Sequence, residues 1–234
     1  TFAGALYGAQ WLSAFKEDSN YAACGQWPDK LWRANELVPG RLAHLCASKY
    51  PVLDGAEFPR EMSDALGLIT TISLEDVVEH FAKVRTCNLD NIKSSDAVHK
   101  AAEGFYRFIG QLDGKNDGET NCLNLLKDQL SVFVNNKWWH PGQCFIEKLP
   151  FLTDWAVSLA GSHINTSDYY VQKGLTALGV RSRPENEDWI LMLTDLADTF
   201  KGVPLPARLL DQVHYAIRIL RSATTEWLQE QEVF

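Results

Sequence analysis

Apolar residues recur at the 3.6-residue period of an α-helix along much of the chain, which predicts a mainly α-helical fold. Two predicted helices carry the apolar stripes Leu74, Val77, Val78, Phe81 and Val84, and Ile190, Leu191, Leu193, Leu196, Ala197 and Phe200. A loop and a second amphipathic helix follow each of them, over about 96–112 and about 207–229. Shorter helices are predicted at 9–15 and 122–132, and short strands of a hairpin at 132–134 and 143–146, with its turn at 135–136 or 141–142.

The same order of features occurs twice, at an offset of 112 residues. The matched positions are Trp27 and Trp139, Leu37 and Leu149, Ala65-Leu66-Gly67 and Ala177-Leu178-Gly179, Glu75-Asp76 and Glu187-Asp188, and, after a three-residue insertion, His99 and His214. We therefore predict two tandem, diverged helical units at 1–112 and 120–234, joined by a polar linker at 113–119. Residues 1–26 are either a leading helix or the tail of a preceding unit. Superposition of 27–112 on 139–228 should align the Trp–Pro segments and the closing helices.

The matched positions have structural explanations. Gly67 and Gly179 suit helix ends, where glycine adopts a left-handed conformation without steric cost. Ser73 and Asp76 have the spacing of a capping box. The acidic pair at 187–188 also favours a helix start, because carboxylates there offset the positive end of the helix dipole. Adjacent carboxylates on a helix point about 100° apart, so we interpret both acidic pairs as caps and not as a shared-proton site.

Charge and cysteine content narrow the class of protein. The net charge is −8 and no long run of Lys or Arg occurs, which argues against a nucleic-acid partner. The sequence contains no stretch of 18 apolar residues, so no membrane span is predicted. The five cysteines are widely spaced and odd in number, which favours free thiols in a reducing cytoplasm. The first residues lack the features of a signal peptide, and we interpret them as a cut inside a longer chain.

No motif for catalysis, cofactor binding or a metal stands out. Nucleotide-binding glycine motifs, G-x-S-x-G and H-E-x-x-H are missing. His99 and His214 occupy matched positions of two units, where they would not converge on one pocket. The spacings of His140 with Cys144 and of His44 with Cys46 do not form a standard zinc site. We therefore predict no enzyme, no cofactor and no metal.

Adjacent aromatic residues are the candidates for protein contacts. Trp138 with Trp139, and Tyr169 with Tyr170, cannot all face one core. At least one residue of each pair is expected at a surface, where aromatic side chains often anchor protein partners. The alternative is that they fill the interface between the two predicted units.

The order of short motifs resembles the repeat regions of the sacsin family. The residues that carry the resemblance are Trp27-Pro28, Glu57-Phe58-Pro59, Leu66-Gly67-Leu68, Ser73-Leu74-Glu75-Asp76 and Leu178-Gly179-Val180. In that family, long linking segments alternate with Hsp90-like ATPase modules. Because the Hsp90-like nucleotide signatures are missing here, the resemblance implies a linking segment that binds no nucleotide by itself.

The function expected from these observations is a non-enzymatic scaffold or protein-interaction segment of a large cytoplasmic co-chaperone-like protein. Its partners would be other proteins or clients and other domains of the same long chain. Two alternatives stay open at this point. One is a winged-helix-like nucleic-acid-binding module, which the short helix pairs allow and the charge disfavours. The other is an uncharacterised enzyme with its site at the interface between the units.

Overall fold

The fold is mainly α-helical, in a computed structural model that describes residues 9–14, 27–55, 58–86, 95–112, 117–127, 129, 131–149 and 155–231. Contacts divide the chain into two compact units. Unit 1 is Thr1–Pro141 with Ser162–Gly179, and unit 2 is Gly142–Gly161 with Val180–Phe234. This division does not coincide with the predicted boundary at 113–119. Of that predicted linker, residues 113–116 lie outside the described residues, as do Glu57 and the segment 87–94, which falls in the first predicted loop.

Unit 1 contains six of the α-helices and one β-hairpin of the described chain. The helices are α1 (Ala43–Cys46), α2 (Arg60–Leu66), α3 (Leu74–Thr86), α4 (Ser95–Gln111), α5 (Asp117–Lys127) and α6 (Tyr169–Leu178), and the strands are β1 (Val132–Val134) and β2 (Lys137–Trp139). Short 3-10 turns lie at Ala34–Glu36, Gly40–Leu42 and Pro141–Gln143. Helices α3 and α4 are the first pair of helices that the apolar stripes predicted.

The β-hairpin forms at one of the two predicted turns. β1 and β2 pair antiparallel, and Asn135 and Asn136 between them have φ values of 53° and 59°. Two consecutive residues with positive φ match a type I′ turn, which suits the twist of a two-residue hairpin. The predicted helix at 122–132 was therefore wrong at its end, since α5 stops at Lys127 and Val132 is in a strand.

The predicted helix at 9–15 was also wrong for the residues that the structure describes. Leu12 forms an antiparallel bridge with Trp32, and Ala14 forms one with Leu53. The Trp32 amide donates to the Leu12 carbonyl at 2.7 Å. A short apolar run satisfies its backbone equally well as a strand or as a helix, and the available partner segment decides between them.

An aromatic cluster holds the hairpin of unit 1 against its helices. Phe81 of α3 stacks on Phe105 of α4 with ring centroids 3.8 Å apart, and it meets the edge of Trp138 at 5.4 Å. The buried Tyr106 hydroxyl accepts the Phe133 amide at 2.9 Å and donates to the Ser131 carbonyl at 3.1 Å. Both functions of the phenol group are thus satisfied in the core, where an unpaired polar group would be costly.

Helices α4 and α6 cross with their backbones in close contact. A side chain on Gly110 of α4 would overlap the Tyr170 carbonyl of α6, and one on Gly174 of α6 would overlap the Tyr106 carbonyl of α4. The sequence Tyr-x-x-x-Gly therefore occurs on both helices, and each glycine faces the carbonyl of the other tyrosine. Such an approach requires the absence of a Cβ on both sides.

Unit 2 consists of a two-stranded parallel sheet and a pair of helices. β3 (Cys144–Phe145) pairs with β4 (Val157–Ser158), and Phe145 also bridges to Arg181. The segment predicted as a hairpin strand at 143–146 is therefore in a parallel pair. Helices α7 (Asn186–Thr199) and α8 (Ala207–Gln231) enclose a core of Trp189, Met192, Leu196 and Ala216.

Helix ends follow the capping predictions. Gly67 and Gly179 end α2 and α6 in the left-handed conformation, with φ values of 79° and 101°. The Ser73 hydroxyl accepts the Asp76 amide at 3.2 Å, and Asp188 accepts the Glu185 amide at 2.8 Å. The interpretation as a cap is confirmed for Asp188, whereas the Asp76 carboxylate binds the Lys49 ammonium at 2.6 Å and accepts the Tyr50 hydroxyl at 3.0 Å. Among the described residues, no helix combines the length and apolar character that crossing a bilayer requires.

Candidate functional site

A cleft of about 720 Å³ in unit 1 gathers basic and imidazole side chains. They are Arg41, His44, His99, Lys100, Arg107 and His163, and the carboxylates of Asp96 and Glu103 also line the cleft. Five of these residues lie on α4, where spacings of three and four residues place side chains on one face of a helix. The others come from the segment at 40–44 and from the loop before α6. We call this the unit-1 cleft.

Gly104 of α4 makes room for one imidazole of the unit-1 cleft. A Cβ on Gly104 would overlap the His44 ring, so the imidazole lies directly on the helix backbone. Burial lowers the pKa of His44, and the nearby Arg107 guanidinium lowers it further. His44 is therefore a neutral group at pH 7 that can donate one N–H hydrogen bond.

A pair of imidazoles, His99 and His163, also lies along the unit-1 cleft. The His99 and His163 rings are 4.3 Å apart between centroids, at an interplanar angle of 47°. Burial lowers the pKa of His99, and His163 adds to that effect, whereas a hydrogen bond with Asn136 acts in the opposite direction. The lowered pKa values of His44 and His99 make these two side chains polar groups and not the main source of charge at neutral pH.

The cations of the cleft differ in how far their charge is compensated. Arg107 binds Asp168 at 3.0 Å and Glu103 at 3.5 Å. The Asp168 carboxylate also accepts the Val171 and Tyr170 amides of α6, which together with Arg107 hold its pKa below the usual range. Arg41, by contrast, donates only to neutral oxygens in the described chain, the Phe58 carbonyl at 3.1 Å and the Ser63 hydroxyl at 3.4 Å.

Lys100 is the other uncompensated cation. It is exposed on α4 and forms no ion pair with any residue that the structure describes. Arg41, Lys100 and Arg107 are balanced in number by Asp96, Glu103 and Asp168, but two of these carboxylates are bound to Arg107. Arg41 and Lys100 are therefore the two cations of the cleft that have no carboxylate partner among the described residues.

His80 is a buried titratable group near this region that the sequence did not single out. It is 2% exposed on α3, and its Nδ1 accepts the Ser48 amide at 3.2 Å. Burial, with a smaller contribution from His44, lowers the pKa of His80 to about 4. The folded protein therefore holds this imidazole neutral under conditions where an unfolded chain would protonate it.

The state of His80 predicts a loss of stability in acid. Because its folded pKa lies below the unfolded value near 6.5, its contribution is complete above pH 6.5 and falls as the pH drops towards 4. The free energy of unfolding should decrease by about 2 kcal/mol from this group between pH 7 and pH 4.5. Urea unfolding of the wild type and of His80→Asn measures it, since asparagine keeps an acceptor for Ser48 and does not titrate. An equal pH dependence in both proteins would contradict the assignment.

The aromatic pairs predicted as protein contacts differ in exposure. Trp138 is half-buried and packs on Phe81 and, at 4.7 Å, on Phe133. Trp139 is half-buried under the Lys137 ammonium, which lies 4.3 Å from its ring centre. Tyr169 and Tyr170 are exposed at the start of α6, with ring centroids 5.3 Å apart. The tyrosine pair is therefore accessible to a partner, while the tryptophans serve packing within unit 1.

The other sequence candidates lie in separate places. His99 lines the unit-1 cleft, and His214 is exposed on α8 of unit 2. Cys46 and Cys144 are buried, which raises the pKa of each thiol to about 12. Within the described ranges, no group of three His, Cys, Asp or Glu side chains could hold a metal ion. His140 and Cys144 therefore belong to no such group.

Comparisons with protein-family models, with curated proteins and with solved structures find no match for this chain. A function must therefore be inferred from its own geometry.

Proposed function

We propose that the chain is a non-enzymatic scaffold segment made of two copies of one helical module, and that such modules bind one another by stacking their helices. The sacsin resemblance extends this proposal to a segment of a large cytoplasmic co-chaperone-like protein. The observation that carries it is the contrast between Ala102 of α4, which is buried, and Ile217 at the matching position of α8, which is exposed.

Two sets of backbone hydrogen bonds support the duplication. In the first copy, the Leu37 carbonyl accepts the Ile69 amide at 2.9 Å and the Val38 carbonyl accepts the Leu53 amide at 2.9 Å. In the second, the Cys144 carbonyl accepts the Arg181 amide at 3.2 Å and the Phe145 carbonyl accepts the Leu159 amide at 2.7 Å. A 3-10 turn directly precedes both acceptor segments, at Ala34–Glu36 and at Pro141–Gln143.

An antiparallel pair that includes a tryptophan comes before each turn. The Trp32 carbonyl accepts the Trp11 amide at 3.1 Å, and the Trp139 carbonyl accepts the Ser131 amide at 3.0 Å. This pairing favours Trp32, and not Trp27, as the counterpart of Trp139. The predicted offset of 112 residues therefore does not hold in the first part of the module, where Trp32 matches Trp139. It holds from the helix that ends at Gly67 in the first copy and at Gly179 in the second.

The helices then follow in the same order in both copies. α2 corresponds to α6, α3 to α7 and α4 to α8, by the capping glycines and by the acidic residues at the helix starts. In unit 1 the closing helix of the first copy, α4, packs on α6 of the second copy through Gly110 and Gly174. By this correspondence, α8 should receive an α2-type helix from another module.

The surfaces that such a contact would use are apolar and exposed. On α8, Ile217 is 48% exposed, whereas Ala102 at the matching position of α4 is only 1% exposed. On α2, Met62 is 47% exposed, and its counterpart on α6 is Gly174, which contacts α4. The exposed apolar side chains of Ile217 and Met62 favour a protein contact at these positions. We expect the partner to be another module of the same kind, because the matching positions within the chain contact such a module.

A second copy of the chain is the probe for this contact. Sedimentation equilibrium should show self-association of the wild type at high micromolar concentration, since a single pair of helices buries less than the roughly 1,200 Å² of a stable complex. Ile217→Asp and Met62→Asp should each abolish it, because either change places a carboxylate in the apolar contact. Val203→Asp, at an exposed apolar position in the loop between α7 and α8, should associate like the wild type. A wild type that stays monomeric, or a Val203 variant that dissociates equally, would contradict the proposal.

A further inference from the structure

We propose that the unit-1 cleft binds a small ligand that carries phosphate groups, and that Arg41 and Lys100 are its principal contacts. This binding site does not depend on the stacking of modules. Its evidence is the volume of the cleft, the chemistry of its lining and the pairing of its charges.

The size and lining of the unit-1 cleft suit a compact polar ligand. A volume of about 720 Å³ falls in the range of small-molecule sites, roughly 300–1,000 Å³. Most such sites are lined by apolar side chains, whereas charged and imidazole groups surround this one. A ligand that many N–H donors can bind is therefore favoured over an apolar one.

Two cations without a carboxylate partner, Arg41 and Lys100, indicate that the ligand is an anion. Asp168 and Glu103 neutralise Arg107, and the Asp168 carboxylate is further committed to the first turn of α6. Arg41 keeps its charge, because a carbonyl and a hydroxyl are its only hydrogen-bond partners among the described residues. A guanidinium with no carboxylate partner can bind an anionic oxygen through the N–H groups that do not donate to these two oxygens.

The lysine and the imidazoles add the features that favour phosphate. Lys100 of α4 supplies a second cation without a carboxylate partner. The imidazoles of His44 and His163 add N–H groups that donate hydrogen bonds. Two cations on separate elements can bind two sides of a tetrahedral anion, or two phosphates of one ligand. A divalent metal is disfavoured, because the described residues provide no group of three suitable ligands.

The test is isothermal titration at constant ionic strength with pyrophosphate, adenosine triphosphate and inositol hexakisphosphate as probes. The wild type should bind at least one probe, and the set separates recognition of phosphate alone from recognition of a nucleotide or a polyphosphorylated ring. Lys100→Gln and Arg41→Gln should each weaken binding about tenfold, which is the effect of losing one charge-assisted hydrogen bond.

Lys201→Gln is the matched control, because Lys201 is an exposed lysine of unit 2 and the change in charge is the same. Its affinity should stay within about twofold of the wild type, as expected for the loss of a distant surface charge. Lys100 is exposed, so its replacement tests the site even if the Arg41 variant fails to fold. The proposal is overturned if the wild type binds none of the three probes at millimolar concentration, or if the Lys100 and Lys201 variants bind equally well. Neither result would affect the self-association experiment, which uses other surfaces.

Discussion

Gly110→Ala and Gly174→Ala are each expected to lower the free energy of unfolding by about 3 kcal/mol or more. An added Cβ at either position would overlap a backbone carbonyl of the facing helix, that of Tyr170 or of Tyr106. A carbonyl in a helix cannot turn away as a side chain can, so the two helices must separate and lose packing along α4. The gain of about 1 kcal/mol in helix propensity from glycine to alanine is too small to offset this loss.

Gly104→Ala is the control in the same helix. Its Cβ would meet only the His44 side chain, which can adopt another rotamer, so the cost should be clearly smaller. Urea unfolding followed by tryptophan fluorescence measures all three variants. If Gly104→Ala were as destabilising as Gly110→Ala, or if the Gly110 and Gly174 variants were as stable as the wild type, close contact of α4 with α6 would be refuted.

Asp188→Ala should lower the free energy of unfolding by about 2–3 kcal/mol, through loss of a buried ion pair and of a helix cap. Asp188 binds the Arg181 guanidinium with both carboxylate oxygens, at 2.7 and 2.8 Å, and accepts the Glu185 amide at 2.8 Å. Arg181 in turn donates to the Gly142 carbonyl and lies over the Phe145 ring. One carboxylate therefore links the start of α7 to the parallel strands of unit 2.

Asp188→Asn separates the two contributions of this carboxylate. The asparagine side chain keeps an oxygen that can accept the backbone N–H of Glu185, but it removes the charge that Arg181 requires. The free energy of unfolding should therefore lie between those of the wild type and the alanine variant. Calorimetric or urea unfolding gives the three values. Equal stability of all three proteins would show that the ion pair contributes nothing to unit 2.

The helices could be predicted because their apolar stripes and caps are local signals. The stripe from Leu74 to Val84 and the glycine at 179 both specify structure within a few residues of themselves. The extended segment around Leu12 could not be predicted, since its partner, Trp32, lies beyond the residues that the pattern compares. The parallel pairing of Cys144 with Val157 could not be predicted for the same reason. Short strands depend on a distant segment that accepts their hydrogen bonds.

The unit-1 cleft was missed for a related reason. His99 stands out in the sequence only as a repeated position, and no motif in the sequence points to Arg41 or Lys100. The one local signal was the run of charged and imidazole residues at helical spacing along α4, which is also typical of a solvated helix face. What makes it a cleft is the approach of His44 and His163, which are far from α4 and from each other in the sequence.

Mixing the two stacking variants tests the central claim most directly. Met62→Asp keeps a normal α8 surface and Ile217→Asp keeps a normal α2 surface, so a head-to-tail contact can form only between the two different proteins. Sedimentation of each variant alone should give a monomer, and the equimolar mixture should give a species of twice that mass and none larger. Self-association of the Met62 variant alone, or a mixture that remains monomeric while the wild type associates, would contradict stacking of an α2-type helix on α8.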